Sequence, residues 1–187
     1  MNTLNIDKEK AINAYQHGSE EQKKVLEQLF GVETFKSKNI MDRVKSVDDA
    51  LKELGPNHFL AKEYEAINNN ETTYSTKLYF KLCIITMALN EGWIPKFIKG
   101  EKRYSPCFFL YTDKEIRQMS EEEKFRVVYR SSSYASAVGG VSVADANSDS
   151  ADVSACIGSR LVFKTRELAE YAGKQFTKLY AEYLLKA

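Results

Sequence analysis

The chain has 187 residues, 43% of them hydrophobic, and a formal net charge of +1. This length fits one domain, or one domain with a small accessory domain, and the hydrophobic share is sufficient for a core. A net charge so close to zero excludes a general electrostatic attraction to nucleic acid or to an anionic membrane.

The cysteines and the N-terminus indicate a protein of the cell interior. Cys83, Cys107 and Cys156 are widely spaced and odd in number, which is typical of reduced thiols and not of a disulfide framework. No basic stretch followed by an apolar run opens the sequence, so no signal peptide is predicted. The most apolar run, Leu78–Leu89, is shorter than the ~20 residues that cross a bilayer. We therefore expect a cytoplasmic protein without a membrane partner.

Residues 1–67 are predicted to form a helical accessory segment of short helices. Ser19–Gln22 has the pattern of a capping box, and Ser46–Asp49 also begins with a capping serine. Glycines placed after each apolar stretch predict where these helices end. The polar run Asn68–Thr73 has the composition of a linker, so the core domain is predicted to cover residues 73–187.

Two long helices are predicted in the core domain. Apolar residues occupy nearly the whole circumference of residues 73–91, so we expect that helix to be buried on more than one side. In the C-terminal stretch, Leu161–Phe163 has strand-forming residues, and Thr165 can cap a helix over residues 166–185 that has one apolar face.

The pattern between these helices is typical of strands. Residues 93–98 and 104–111 are predicted to form a hairpin whose loop is Lys99–Arg103. Pro95 and Pro106 predict edge positions or bulges, because proline has no backbone N–H for a sheet ladder.

Further antiparallel strands are predicted over residues 125–137, 138–146 and 154–163. They include the run 131–159, which holds nine serines, six alanines and no lysine or arginine, and the alternative for that run is a disordered loop of low complexity. The fold predicted from these elements is α+β, with an antiparallel sheet of four to five strands packed against two long helices and an N-terminal set of short helices.

No motif in the sequence identifies a catalytic or metal site. His17 and His58 lie in separate predicted helices, and no nucleophile-elbow, Walker A or dinucleotide-binding pattern occurs. Asp145–Asp149 resembles the start of a calcium loop, but Ser150 and Cys156 stand where glycine and glutamate are needed. The sequence therefore favours a non-enzymatic protein without a cofactor, and an enzyme with an unrecognised site is the third hypothesis.

Basic and aromatic residues around the predicted hairpin form the candidate binding site. Residues 73–130 carry 11 basic and 7 acidic residues. Basic groups interleaved with aromatic rings can hold the phosphates of a single strand and stack its bases. Alternatively, the rings face the core and the lysines solubilise an edge strand. The candidate nucleic-acid-binding residues are Trp93, Lys96, Lys99, Lys102, Arg103, Tyr104, Arg160 and Lys164.

Three segments give the chain a resemblance to a known group of proteins. Residues 88–93, residues 104–109 and residues 158–176 together resemble proteins encoded by phages and integrated elements of gut Bacteroidetes. The similarity also includes parts of residues 14–31 and 48–55. It implies an origin and phage-linked roles such as DNA handling, virion assembly or interference with a host system, and it brings no catalytic residues.

Two main hypotheses follow. The first is a non-enzymatic phage-type binding or assembly protein that acts through its sheet surface, with a protein partner or as a homo-oligomer. The alternative is a protein that binds single-stranded nucleic acid through the basic and aromatic hairpin.

Overall fold

The computed structural model describes residues 6–70, 73–96, 98, 100–130, 139–150 and 159–185. The chain separates into two compact units, residues 1–39 and residues 40–187. This division lies earlier in the chain than the division at residues 67–73 that the linker composition predicts.

The first unit contains α1 (Lys8–His17), α2 (Glu20–Phe30) and a 3-10 turn at Val32–Thr34. The capping box predicted at Ser19 is confirmed, because its hydroxyl accepts from the Gln22 N–H while the Gln22 side chain accepts from the Ser19 N–H. This exchange satisfies two amides that the first turn of α2 leaves without a helical partner.

The second unit holds eight further α-helices and three strands within its described residues. The helices are α3 (Ile40–Arg43), α4 (Val47–Leu54), α5 (Phe59–Asn68), α6 (Tyr74–Leu89), α7 (Asp113–Gln118), α8 (Glu121–Phe125), α9 (Arg166–Gln175) and α10 (Thr177–Leu185). The strands are β1 (Lys102–Thr112), β2 (Val128–Arg130) and β3 (Gly139–Ser150).

The core of this unit is built around α6. Leu82, Ile84, Ile85 and Leu89 have no exposed surface, and burial of each such side chain stabilises the fold by about 1.5–3 kcal/mol. Helices α4 and α5 pack against α6, and so do α9 and α10. The prediction that this helix is buried on more than one side is confirmed.

The three strands form an antiparallel sheet in the order β1-β3-β2, and α9 and α10 pack against it. Strand β1 lies at an edge, and its pairing with β3 is interrupted by a bulge between Cys107 and Phe108. This irregularity directly follows Pro106, in agreement with the prediction of an edge position or a bulge there.

The predicted α+β fold with four to five strands is wrong. Helices contain most of the described residues, and the sheet among those residues has three strands. The predicted hairpin does not form, because the described part of residues 93–98 has no strand and β1 pairs with β3. The backbone N–H of Lys96 instead donates to the Glu101 carboxylate at 2.8 Å, and Pro95 has no N–H to offer a partner strand.

The strand predicted over residues 125–137 begins later than expected. Phe125 ends α8, and β2 begins only at Val128. The capping box at Ser120 explains the difference, because it starts a helical turn that carries the chain through Phe125. Residues 131–138 and 151–158 lie outside the described residues.

The C-terminal stretch differs in two ways from the predicted strand and single helix. Residues 159–161 form a 3-10 turn, and Phe163 contributes one isolated bridge to Tyr104 instead of a strand. The helix is interrupted at Phe176, which ends α9. At the start of α10 the Thr177 hydroxyl donates back to the Gly173 carbonyl at 2.6 Å, a contact that often accompanies a bend in a helix.

Candidate functional site

Two of the predicted nucleic-acid-binding residues, Trp93 and Arg160, line the same cleft of about 280 Å³. Trp93 follows the end of α6, and Arg160 belongs to the 3-10 turn before α9. The side chains of Phe59 and Ile94 also line the cleft, and they are 55% and 63% exposed. It therefore combines a partly exposed apolar wall with one guanidinium group.

A side chain at the end of α6 holds the two sides of this cleft together. Asn90 lines the cleft, donates its amide N–H to the Val162 carbonyl at 2.8 Å and accepts the Lys164 N–H at 3.0 Å. These bonds connect residues 88–93 with residues 162–164, which belong to two of the three segments on which the resemblance depends. The two segments are therefore one structural unit, which positions Trp93 beside Arg160.

The other described candidate residues do not line this cleft. Lys96 and Lys102 are exposed, whereas Arg103 is only 3% exposed and lies below the surface in β1. Tyr104 is half-buried, where its ring lies 5.8 Å from the guanidinium carbon of Arg166. Lys99 lies outside the described residues.

Lys164 is engaged in an ion-pair network. Its ammonium lies 3.4 Å from the Glu91 carboxylate, which also accepts a bond from Arg43 at 3.0 Å. Arg43 in turn contacts Glu53 at 3.2 Å, and both of these side chains are mostly buried. Two acids thus balance two bases, and the network joins α3 and α4 to the end of α6.

The thiol beside the cleft is not a reactive group. Burial raises the pKa of Cys83 on α6, so its thiolate, the nucleophilic form, is disfavoured. Burial also raises the pKa of the neighbouring Tyr79, and the Arg160 guanidinium opposes part of that rise. Both groups stay protonated at neutral pH, which suits a structural role.

A second surface of interest is a groove of about 670 Å³ beside the sheet. We call it the sheet groove; it is lined by Phe109 and Tyr111 of β1, Phe125 of α8, Val128 of β2, Ser142 of β3 and Thr177 of α10. The hydroxyls of Tyr111 and Ser142 lie 3.2 Å apart within hydrogen-bond distance.

Two large apolar side chains of the sheet groove remain open to solvent. Phe109 is 57% exposed and Phe125 is 94% exposed. The rim carries Glu123 on α8, Arg126 directly after it and Lys174 near the end of α9. The groove is therefore apolar inside and carries charges of both signs at its edge.

Sequence reasoning missed Phe125 as a surface residue, because alternation with Val127 and Tyr129 predicts a half-buried strand. The signal that identifies its position is the Ser120–Glu123 capping box. A box at these positions begins a helix, and a five-residue helix ends at Phe125, outside the strand alternation.

Within the described ranges, no group of three or more histidine, cysteine, aspartate or glutamate side chains could hold a metal ion. Among the helices that the structure describes, none is long and apolar enough to cross a membrane.

Comparison with protein-family models, with curated proteins and with solved structures finds no match to this chain.

Proposed function

We propose that the chain is a non-enzymatic, phage-type binding and assembly protein that associates with copies of itself through the sheet groove. The observation that carries this proposal is the joint exposure of Phe109 and Phe125 at one apolar groove. Contiguous apolar surface on a folded protein is typical of an interaction site. Burial of each ring in a partner would contribute about 1.5–3 kcal/mol.

The carboxylate of Glu123 at the rim of the sheet groove suits a binding site better than a catalytic site. Hydrogen bonds from the Ser120 backbone and hydroxyl hold the pKa of Glu123 below its usual range. A general acid or base needs a pKa near the working pH, whereas Glu123 stays ionised and serves as the cap of α8. The charge at this rim therefore suits recognition of a partner.

The experiment is size-exclusion chromatography with light scattering over a range of micromolar concentrations. We expect a mass that is a multiple of the 21.3 kDa of one chain. A Phe109→Ser/Phe125→Ser double variant should shift to the mass of one chain. Phe59→Ser is the matched control, because Phe59 is also largely exposed but lies in the other cleft. A wild-type protein with the mass of one chain at every concentration would contradict the proposal.

The second candidate function is binding of single-stranded nucleic acid at the Trp93–Arg160 cleft. The observation that favours it is that the fold brings these two distant residues into one cleft, with exposed Lys96 nearby in sequence. A base can stack on the indole, at about 1–3 kcal/mol per base, while the guanidinium can contact a phosphate.

Fluorescence anisotropy with a labelled single strand tests this candidate over a series of salt concentrations. Binding should weaken as salt rises, and Trp93→Ala should reduce affinity by about tenfold or more. Arg160→Gln should reduce both the affinity and the salt dependence, whereas Lys178→Gln, an equal charge change on exposed α10 surface, should change neither. Salt-independent binding, or none, would exclude this function.

A further inference from the structure

The sheet groove lies next to the exposed aromatic ring of Phe125. Phe125 is the last residue of α8 and is 94% exposed, while the groove beside it has a volume of about 670 Å³ that the described residues leave open. We infer that the groove is filled by Phe125 of a second copy, in a two-fold symmetric dimer. This inference rests on the proposed assembly function and names its contact.

The protruding ring is held in place by its backbone. The Ser120–Glu123 capping box fixes the start of α8, and the N–H of Arg126 donates to the Glu123 carbonyl at 3.0 Å. The next amide, that of Val127, donates to the Lys124 carbonyl at 3.1 Å, and the Val127 side chain is buried. Little backbone freedom is therefore lost when Phe125 binds, which favours association.

The receiving surface is also well defined. Phe109 and Val128 provide apolar contacts from two strands, and Thr177 lies at the start of α10. The groove volume of about 670 Å³ falls within the range of about 300–1,000 Å³ that is typical of pockets for compact ligands. One aromatic ring with its flanking turn fits into such a space.

The charges favour a second copy as the occupant. The first turn of α8 holds Glu121–Glu123, where Glu121 pairs with Lys124 at 2.8 Å. Arg126 and Lys174 lie on the other part of the rim, where Lys174 pairs loosely with Glu170 at 3.7 Å. In a two-fold dimer both copies use the same surface, so the Phe125 ring of each copy can enter the groove of the other. The acidic turn of one copy can then lie against the basic rim of its partner, which gives complementary charge at both ends.

The decisive test is complementation between two variants. Phe125→Ala removes the protruding ring and keeps the other residues that line the groove, and Thr177→Arg places a charge in the groove but keeps the ring. Each variant alone should lose dimer affinity by about thirtyfold or more, the effect of an interface residue worth at least about 2 kcal/mol. An equimolar mixture should recover dimers, because the Phe125 ring of the Thr177→Arg variant can enter the uncharged groove of the Phe125→Ala variant, which still has its Phe109, Val128 and Thr177 contacts.

Two differently tagged variants, analysed by light scattering and co-purification, distinguish the outcomes. Dimers in the mixture and not in the separate variants support the inference. Phe125→Ala that dimerises as well as wild type overturns the inference and leaves the assembly function standing, and so does a mixture that stays monomeric. A wild-type protein that is monomeric overturns the assembly function itself.

Folding is checked by circular dichroism and thermal melting. Phe125 is almost fully exposed, so its replacement should change the free energy of unfolding by less than about 0.5 kcal/mol. Phe109→Arg is a second groove-blocking variant for the case that Thr177→Arg disturbs α10, and it should complement Phe125→Ala in the same way. Phe59→Ala is the control for loss of an exposed ring elsewhere.

Discussion

The side-chain amide of Asn90 bonds to the backbone on both sides of Phe163, through the Val162 carbonyl and the Lys164 N–H. On its other edge Phe163 itself exchanges two backbone hydrogen bonds with Tyr104, at 2.7 and 3.0 Å. One side chain at the end of α6 therefore takes the place of a neighbouring strand. Because Asn90 is 3% exposed and Phe163 is fully buried, neither edge can exchange these bonds for water.

Asn90→Ala should strongly destabilise the fold. It removes one buried and one partly buried hydrogen bond and leaves a carbonyl and an N–H without this partner, so we expect a loss of about 2–4 kcal/mol. Urea denaturation should show a lower midpoint with an unchanged slope. Asn68→Ala, at an exposed position at the end of α5, should change stability by no more than about 0.5 kcal/mol. Equal effects of the two variants would show that the amide is not important for folding.

Phe163 and Phe109 should respond very differently to the same substitution. Phe163→Ala opens a cavity in the core and should lower the free energy of unfolding by about 3–5 kcal/mol. Phe109→Ala removes a ring that is 57% exposed and should cost less than about 1 kcal/mol in the monomer. Thermal melting at a protein concentration where the chain is monomeric compares the two variants. A large effect of Phe109→Ala under that condition would mean that the Phe109 ring is part of the core.

The ion-pair network should contribute more than an ordinary surface pair. Arg43→Gln leaves the mostly buried Glu53 carboxylate without its cation, and we expect a loss of about 1–3 kcal/mol, which is below the cost of breaking a fully buried pair. Lys52→Gln is the control, since its pair with Asp49 spans 3.8 Å and the lysine is 79% exposed. That variant should change stability by about 0–1 kcal/mol. Equal losses, measured by denaturation at low salt, would contradict a special role for Arg43.

The capping carboxylates predict how stability changes in acid. Hydrogen bonds from Thr112 and Ser120 lower the pKa of Glu115 and Glu123 in the folded chain. A carboxyl group with a lowered folded-state pKa stabilises the fold above its unfolded pKa, and this contribution is lost as the pH falls through the folded pKa. Stability should therefore decline from about pH 5 downwards.

Ser120→Ala tests the origin of that acid sensitivity. The variant should be less stable than wild type at neutral pH, and the difference should shrink at low pH, because protonated Glu123 no longer accepts the bonds of the cap. Denaturation curves at both pH values measure the difference. A constant difference across the pH range would mean that the carboxylate does not contribute to the cap.

Local signals in the sequence predicted the helix starts correctly. Ser19, Ser46 and Thr165 cap α2, α4 and α9 as their patterns indicate, because a cap involves only residues about three positions apart. The extent of α6 was also predictable, since its apolar circumference depends on composition within one helix.

Long-range pairing and burial could not be predicted in the same way. Arg103 is buried and Tyr104 only half-buried, which reverses the order that hydrophobicity predicts for two neighbours in a strand. Residues 93–98 have strand-forming side chains, but Glu101 takes the Lys96 N–H. The meeting of Trp93 and Arg160 depends on the Asn90 bonds to residues 162 and 164, a contact that no local pattern in either segment indicates.

The position of β3 in the centre of the sheet has a consequence for synthesis of the chain. Both β1 and β2 precede β3 in the sequence, yet in the described sheet each lies beside β3 and not beside the other. On the ribosome neither strand can begin to pair until residue 139 has emerged, and the pairing of β1 is complete only with residue 150, whereas α3 to α6 can pack as soon as residue 89 is free. Pairing between distant residues also slows folding. The nascent chain therefore passes through a stage at which Phe109 and Leu110 lie on an unpaired strand, and it is then most exposed to aggregation.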